Sequence, residues 1–227
     1  MKLAVMLVLC CGCITMNMRA NPCVAGSLSA YISLGSGGCT IGTNVVSSFV
    51  DFSSGTFGAT ELPASAVSIV PSGGDTDPQL QFTVNETVDA PPLLETFFTY
   101  QISGNPYNQS NIGLSGSSET VDGAVTDLQN LCADGTFGPD GVDGCTGTPS
   151  SQLTLDGAIN TNSTPLSVIS FLSVTDDFTL DPGTAGSASG GVFTDQFTAG
   201  TTTVPEPALS VLPCALLFAL AALRKRR

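Results

Sequence analysis

The sequence predicts an all-β body, an antiparallel β-sandwich or jelly roll, framed by an N-terminal signal peptide and a short C-terminal transmembrane helix. Three observations carry this. Apolar residues recur at every second position, turn-forming clusters separate those runs, and every basic side chain lies at a chain end. The expected division is a signal over 1–20, a body over 21–198, and a spacer with a sorting segment over 199–227.

Lys2 supplies a positive start, Leu3 to Ile14 an apolar stretch, and a small residue follows, which is the layout of a cleaved export signal. Cleavage after Ala20 or after Ala25 both fit. Ala20 is preferred because it leaves Cys23 in the mature chain.

Along the body, alternation appears in "SLSAYISL" (Leu28, Ala30, Ile32, Leu34), "QLQFTV" (Leu80, Phe82, Val84) and "ETFFTYQI" (Phe98, Tyr100, Ile102). It returns in "SQLTL" (Leu153, Leu155), "LSVISFLSV" (Leu166, Val168, Ser170, Leu172, Val174) and "GVFTDQF" (Phe193, Phe197). One apolar face per run is what a half-buried antiparallel strand needs. Clusters rich in Gly, Pro, Asn, Asp and Ser at Pro71, Ser103, Thr161 and Asp181 are expected to turn the chain between strands. Roughly eight to ten short strands at this spacing suit a sandwich.

The formal net charge is −13, yet its distribution says more. The basic residues are Lys2, Arg19, Arg224, Lys225, Arg226 and Arg227, while all nineteen acids fall between Arg19 and Arg224, an interval without Lys, Arg or His. No side-chain salt bridge can form inside such a body. Its carboxylates must face water, accept hydrogen bonds, or hold a cation. Nucleic acid is excluded as a partner, because neutralising phosphates takes Lys or Arg.

The same absences limit catalysis. Without His there is no Ser-His-Asp triad or Cys-His pair, and without Lys no Schiff base. A carboxylate pair, as in glycoside hydrolysis, survives this filter. Glu86, Glu95 and Glu119 are candidate acids, and no spacing selects a pair among them.

Four cysteines remain in the body, Cys23, Cys39, Cys132 and Cys145, an even number in an exported chain and hence a disulfide framework. Three connectivities exist. The pairs close in sequence, Cys23 with Cys39 and Cys132 with Cys145, are favoured, each loop contributing about 3 kcal/mol in the chain-entropy model. Between the second pair runs "CADGTFGPDGVDGC", where Asp134, Asp140 and Asp143 each precede a glycine. Tight turns at Asp-Gly steps give these three carboxylates a way to converge on Ca²⁺, although the spacing is not that of an EF-hand. An acidic turn with no metal is the competing reading, for this loop and for Asp75 and Asp77 in "GGDTDP". Tyr107, in an Asn-Pro-Tyr-Asn stretch, is the tyrosine expected to be exposed.

At the C-terminus, Val204-Pro205-Glu206-Pro207 precedes the uncharged stretch 208–223 and the cluster Arg224, Lys225, Arg226, Arg227. As a helix the stretch reaches about 24 Å at ~1.5 Å per residue, short of a ~30 Å hydrocarbon core. The basic cluster should stay cytoplasmic, with the body on the far side. This order resembles the PEP-CTERM sorting domain. The resemblance implies recognition by exosortase, a membrane protease, after passage through the Sec translocon, and an association with extracellular polysaccharide. It covers about the last tenth of the chain.

The resulting expectation is a non-enzymatic cell-surface or extracellular-matrix protein, anchored transiently at the inner membrane and then displayed or released. It needs no cofactor beyond the Ca²⁺ considered above. Two alternatives stand beside it: a calcium-dependent carbohydrate-binding module, and a glycoside hydrolase.

Overall fold

The computed structural model describes residues 20–52, 59–141 and 143–200. Residues 1–19 of the signal expected over 1–20, the Val204–Pro207 motif, the 208–223 span and the Arg224–Arg227 cluster lie outside the described residues.

The body is all-β and, apart from one short parallel pair, antiparallel. Its strands are β1 (Gly26–Ser27), β2 (Cys39–Ile41), β3 (Asn44–Asp51), β4 (Thr60–Glu61), β5 (Val67–Ser72), β6 (Gln79–Val84) and β7 (Thr87–Asp89). They continue with β8 (Leu94–Ser115), β9 (Ser118–Thr120), β10 (Ala124–Ala133), β11 (Thr148–Leu155), β12 (Thr161–Asp181), β13 (Ser187–Ser189) and β14 (Val192–Ala199). A one-turn helix, α1 (Leu28–Ile32), and a 3-10 turn at Gly35–Gly37 precede β2.

Two long strands organise everything else: β8 has 22 residues and β12 has 21, and they pair with each other along most of their length. The early part of β8 and the late part of β12 lie between β3 on one side and β10 with β11 on the other. The late part of β8 instead joins β14, which leads on through β6 and β5 to β1. The ribbon therefore passes from one layer to another. Its bend falls where the register slips between Pro165 and Phe171 and where Gly104 takes φ 144°. Only glycine fits there, because an added Cβ would meet Asn44 Oδ1 at 2.7 Å.

The layers meet through aromatic rings. Phe82 on β6 and Phe193 on β14 stack at 4.8 Å between centroids, and Phe193 stacks on Phe178 of β12 at 4.7 Å. Phe98 and Tyr100 of β8 close against Phe82. A separate small sheet, β7-β13-β9, is held by its own register and by hydroxyl pairs such as Thr120 with Ser187.

Alternation placed Leu80, Phe82, Val84, Phe98, Tyr100, Ile102, Phe193 and Phe197 inward, and all are buried. Five local expectations need correction, the first being "LSVISFLSV", where the register slips so that Val168 is exposed and Ile169 buried before Leu172 and Val174 resume the inward parity. "SLSAYISL" is α1 and not a strand: the Ser27 side chain caps it by accepting from the Ala30 N–H, and Leu28 with Tyr31 bury one side at helical spacing. In "SQLTL" the parity is inverted, since Leu153 is exposed while Gln152 and Thr154 face the interior. The stretch at Ser103 is the bend inside β8, and Thr161 opens β12, so neither is a loop between separate strands. Tyr107 is fully buried, its hydroxyl donating to Asn44 Oδ1 at 2.9 Å.

Both disulfides form as the near-neighbour pairs, Cys23–Cys39 and Cys132–Cys145. The first ties the N-terminal segment to β2. The second pins the loop after β10 over the outer face of β12, where the Thr175 hydroxyl donates to the Gly141 carbonyl.

Candidate functional site

One end of the interior is aromatic, and next to it lies a polar cluster. Asp127 and Gln129 come from β10, Asp176 from β12, Asp195 from β14, Ser110 from late β8, and Gln152 with Thr154 from β11. Strand pairing brings them together: Asp127 is opposite Thr154, Gln129 is opposite both Gln152 and Asp176, and Asp195 reaches them across the sandwich. Asp127, Gln129, Thr154, Asp176, Asp195 and Ser110 are fully buried, and Gln152 is 5% exposed.

The amides and hydroxyls are chained. Gln152 Nε2 donates to Gln129 Oε1 at 2.7 Å and to Ser110 Oγ at 3.0 Å, and Ser110 Oγ donates to Gln129 Oε1 at 2.9 Å. Gln129 Nε2 then donates to Asp176 Oδ1 at 3.3 Å, and the Tyr100 hydroxyl donates to Asp195 Oδ2 at 2.5 Å. Each of these two carboxylates is thus oriented through one oxygen. Their other oxygens, Asp176 Oδ2 and Asp195 Oδ1, have no hydrogen-bond partner, nor does either oxygen of Asp127. One ligand oxygen from each of the three carboxylates lies within 4.8 Å of the others.

Such a grouping is electrostatically costly, because desolvation and mutual repulsion both disfavour the ionised forms. Burial, and then the neighbouring carboxylates, push Asp127 and Asp176 well above the ordinary carboxylate range. Asp195 is pushed up to about 6 by burial, against the lowering effect of hydrogen bonds led by that from Tyr100. Tyr100 is itself raised by burial and by the charge of Asp195. Asp127, Asp176 and Asp195 are the residues that could hold a cation, with Tyr100 and Gln129 positioning two of them.

Among the described residues, the three carboxylates that converge are Asp127, Asp176 and Asp195, a different trio from the Asp134, Asp140 and Asp143 considered from the sequence. The loop aspartates are exposed, and Asp140 Oδ1 accepts the Asp143 N–H at 3.0 Å, fastening the turn. Asp75 and Asp77 also fasten backbone, accepting the N–H groups of Thr43 and Gly74. Glu86 and Glu119 are exposed, and Glu95 lies partly buried on β8, where its charge, after burial itself, helps push Asp177 up to about 6. Sequence reasoning missed the interior triad although a signal existed. Val125 and Asp127, Val174, Asp176 and Phe178, and Phe193, Asp195 and Phe197 each share one parity, so each acid sits on an apolar face.

A second feature occupies the outer face of the layer that carries β14. Gln196, Asn111 and Ser163 stand in register across β14, β8 and β12, with Thr194, Gly113 and Thr161 in the adjacent row. They line an open groove of about 520 Å³ whose floor is lowered at Gly113. Its lining combines amides and hydroxyls with Ile112 and Gly113, without charge or aromatic ring.

No family model matches the chain, and no curated protein does. Two solved structures show distant likeness. TmCBM61, described in complex with β-1,4-galactotriose, is 13% identical with TM-score 0.25, over 59% of this chain and 79% of that one. The enzymatically active domain of tailspike protein 4 from bacteriophage CBA120 is 14% identical with TM-score 0.24, over 72% of this chain and 21% of that one.

Proposed function

We propose that this chain is an exported, non-enzymatic cell-surface or matrix protein, delivered by an exosortase-type system acting on its C-terminal segment. The observation that carries the reading is the pairing of two disulfides in a body that has no basic side chain between Arg19 and Arg224. Disulfides persist in oxidising compartments, so they support a body that matures outside the cytosol. The tail Val204-Pro205-Glu206-Pro207, the 208–223 span and Arg224 to Arg227 supply the address. Cleavage near Glu206 would remove every basic residue that the signal does not.

Intact mass under non-reducing conditions, on protein from the surface fraction of its host, tests this. The expected species begins after Ala20, ends near Glu206 and carries both disulfides. Recovery of the full-length, reduced chain from the cytosol would overturn it.

The groove favours a second reading, binding of a neutral glycan without catalysis. Uncharged amides and hydroxyls in two registered rows suit the hydroxyls of a polysaccharide chain, and polar groups of this kind fix ligand orientation. Asn111→Ala with Gln196→Ala should abolish retention on a neutral polysaccharide matrix while leaving the melting temperature within about 2 °C, as for outer-face substitutions. Equal retention of the variant and the native chain would remove this reading.

A further inference from the structure

The interior triad poses a charge problem that the side chains of the described residues cannot solve. Asp127, Asp176 and Asp195 are fully buried, and no Lys, Arg or His exists between Arg19 and Arg224. Among the described residues no side chain supplies the counter-charge, which leaves protons or a metal ion.

Several observations separate those possibilities. Asp176 and Asp195 each present one oxygen held by a donor, Gln129 Nε2 or the Tyr100 hydroxyl, and one oxygen with no partner. That division, an orienting hydrogen bond on one oxygen and a bare second oxygen, is how ligating carboxylates are supported in metal sites. Asp127 presents two bare oxygens. Independently of the acids, the Thr154 hydroxyl is fully buried, has no partner, and sits directly across from Asp127 on the inward face. Gln152 Oε1 is a further unpartnered oxygen of a side chain only 5% exposed. Asp176 and Asp195 also lie within hydrogen-bond reach of each other, so one proton can be shared between them, but such sharing leaves Asp127, the Thr154 hydroxyl and Gln152 Oε1 without partners.

We propose that Asp127, Asp176 and Asp195 bind one Ca²⁺ ion between the two layers of the sandwich, with the Thr154 hydroxyl and Gln152 Oε1 completing its oxygen shell.

The donor set consists of oxygens, which selects a hard cation over zinc or copper. Separations within 4.8 Å match the width of a calcium shell, about 4.6–5.2 Å for bonds of about 2.3–2.6 Å. Mg²⁺ fits less well, since it holds its ligands at about 2.0–2.1 Å and usually keeps several waters. Because the ligands come from β10, β12 and β14, the ion would join strands from both layers. Complete burial means that the ion enters as the layers close, so chelator added to folded protein acts slowly.

The test is therefore a refolding experiment. The full exported chain is unfolded in denaturant with EGTA, its disulfides kept, and refolded into EGTA, CaCl₂ or MgCl₂, and each sample is melted. Calcium at a hundredfold its Kd should raise the melting temperature by about 5–10 °C over EGTA, and magnesium should do much less. Asp127→Asn, nearly isosteric and uncharged, should fold and lose the calcium-dependent rise. Asp140→Asn, on the disulfide-clipped loop, should keep all of it. Equal melting in calcium and EGTA, an undiminished rise in Asp127→Asn, or its loss in Asp140→Asn would overturn the proposal, and an equal rise with magnesium would overturn the choice of ion. The inference stands apart from the export reading: a cytosolic chain defeats that one alone, and a calcium-blind chain defeats this one alone.

Discussion

Two buried polar clusters in this sandwich differ in one respect. Around Asn44, at the bend of β8, the side-chain valences are filled. Its Nδ2 donates to the carbonyls of Ile41, Gly74 and Asp75, and its Oδ1 accepts from the Tyr107 hydroxyl and the Asn105 N–H. Around Asp127, four carboxylate oxygens of three side chains have no partner. A buried polar group costs little when bonded and much when not. The Asn44 cluster is thus a finished structural joint, fastening the β2–β3 turn and the Gly73–Pro78 loop to the bent ribbon. The Asp127 cluster is left unfinished by the described residues, and the proposed calcium ion is the partner that would complete it.

Breaking the joint should have the largest effect. Asn44→Ala takes a donor from the Ile41 and Gly74 carbonyls and the acceptor from a tyrosine hydroxyl and an amide, while the Asp75 carbonyl keeps Asn105 Nδ2, and should destabilise the body by about 4 kcal/mol, allowing about 1–3 kcal/mol per group with part of them rehydrated. Urea unfolding should show the same loss in calcium and in EGTA. A loss that differed between the two would mean that the clusters are coupled.

The next effect is pH dependence, which should belong to the acidic cluster. An aspartate is near 3.9 in the unfolded chain, whereas folding raises Asp195 to about 6 and burial also holds Asp127 and Asp176 well above the ordinary carboxylate range, so the folded form binds more protons. Stability from such groups is fully present below about pH 4 and is lost as pH rises through the folded values. In EGTA, stability should fall between pH 4 and pH 7 by something on the order of 3 kcal/mol. With calcium the fall should shrink, since the ion binds the ionised carboxylates. Urea midpoints at pH 4, 5.5 and 7 check this, and stability that rose with pH in EGTA would contradict it.

Smaller changes sharpen the contrast. Asp127→Asn removes a carboxyl that must either ionise in the interior or take up a proton there, and in EGTA at pH 7 should stabilise by about 2 kcal/mol, the reverse of the Asn44 result. Tyr100→Phe keeps the ring stacked on Phe49 and deletes only the donor to Asp195. Calcium affinity should then weaken by about tenfold, the low end for loss of a ligand-orienting hydrogen bond. Competition with a calcium-sensitive dye reads this directly.

Most of the layer architecture was legible from alternation, because a strand with one buried face writes its register into its sequence. "QLQFTV" and "ETFFTYQI" gave their inward residues correctly. "SQLTL" failed for a physical reason: the interior beside β11 is polar, so Gln152 and Thr154 face it and the leucines turn outward. The pairing of β11 with Asp127 and Gln129 decides that parity, and this is not written in β11 itself. The long bent strands were read as separate short ones because Gly104 and Pro165 look like turn residues, whereas here they shape a bend and a slipped register. The disulfides followed from proximity in sequence. The acidic cluster required knowing that β10, β12 and β14 converge, since its members lie as much as 68 positions apart. Each member's own strand nonetheless shows an acid on the apolar parity.

Metal content tests the central claim most directly. The chain with both disulfides formed, refolded in calcium and dialysed exhaustively against metal-free buffer, would be denatured and its calcium counted against protein by atomic emission, beside Asp127→Asn treated identically. About one calcium per native chain, and background in Asp127→Asn, is the expected result, given how structurally enclosed oxygen sites retain the ion. Background calcium in both would contradict the claim and leave the three aspartates as a proton-sharing cluster.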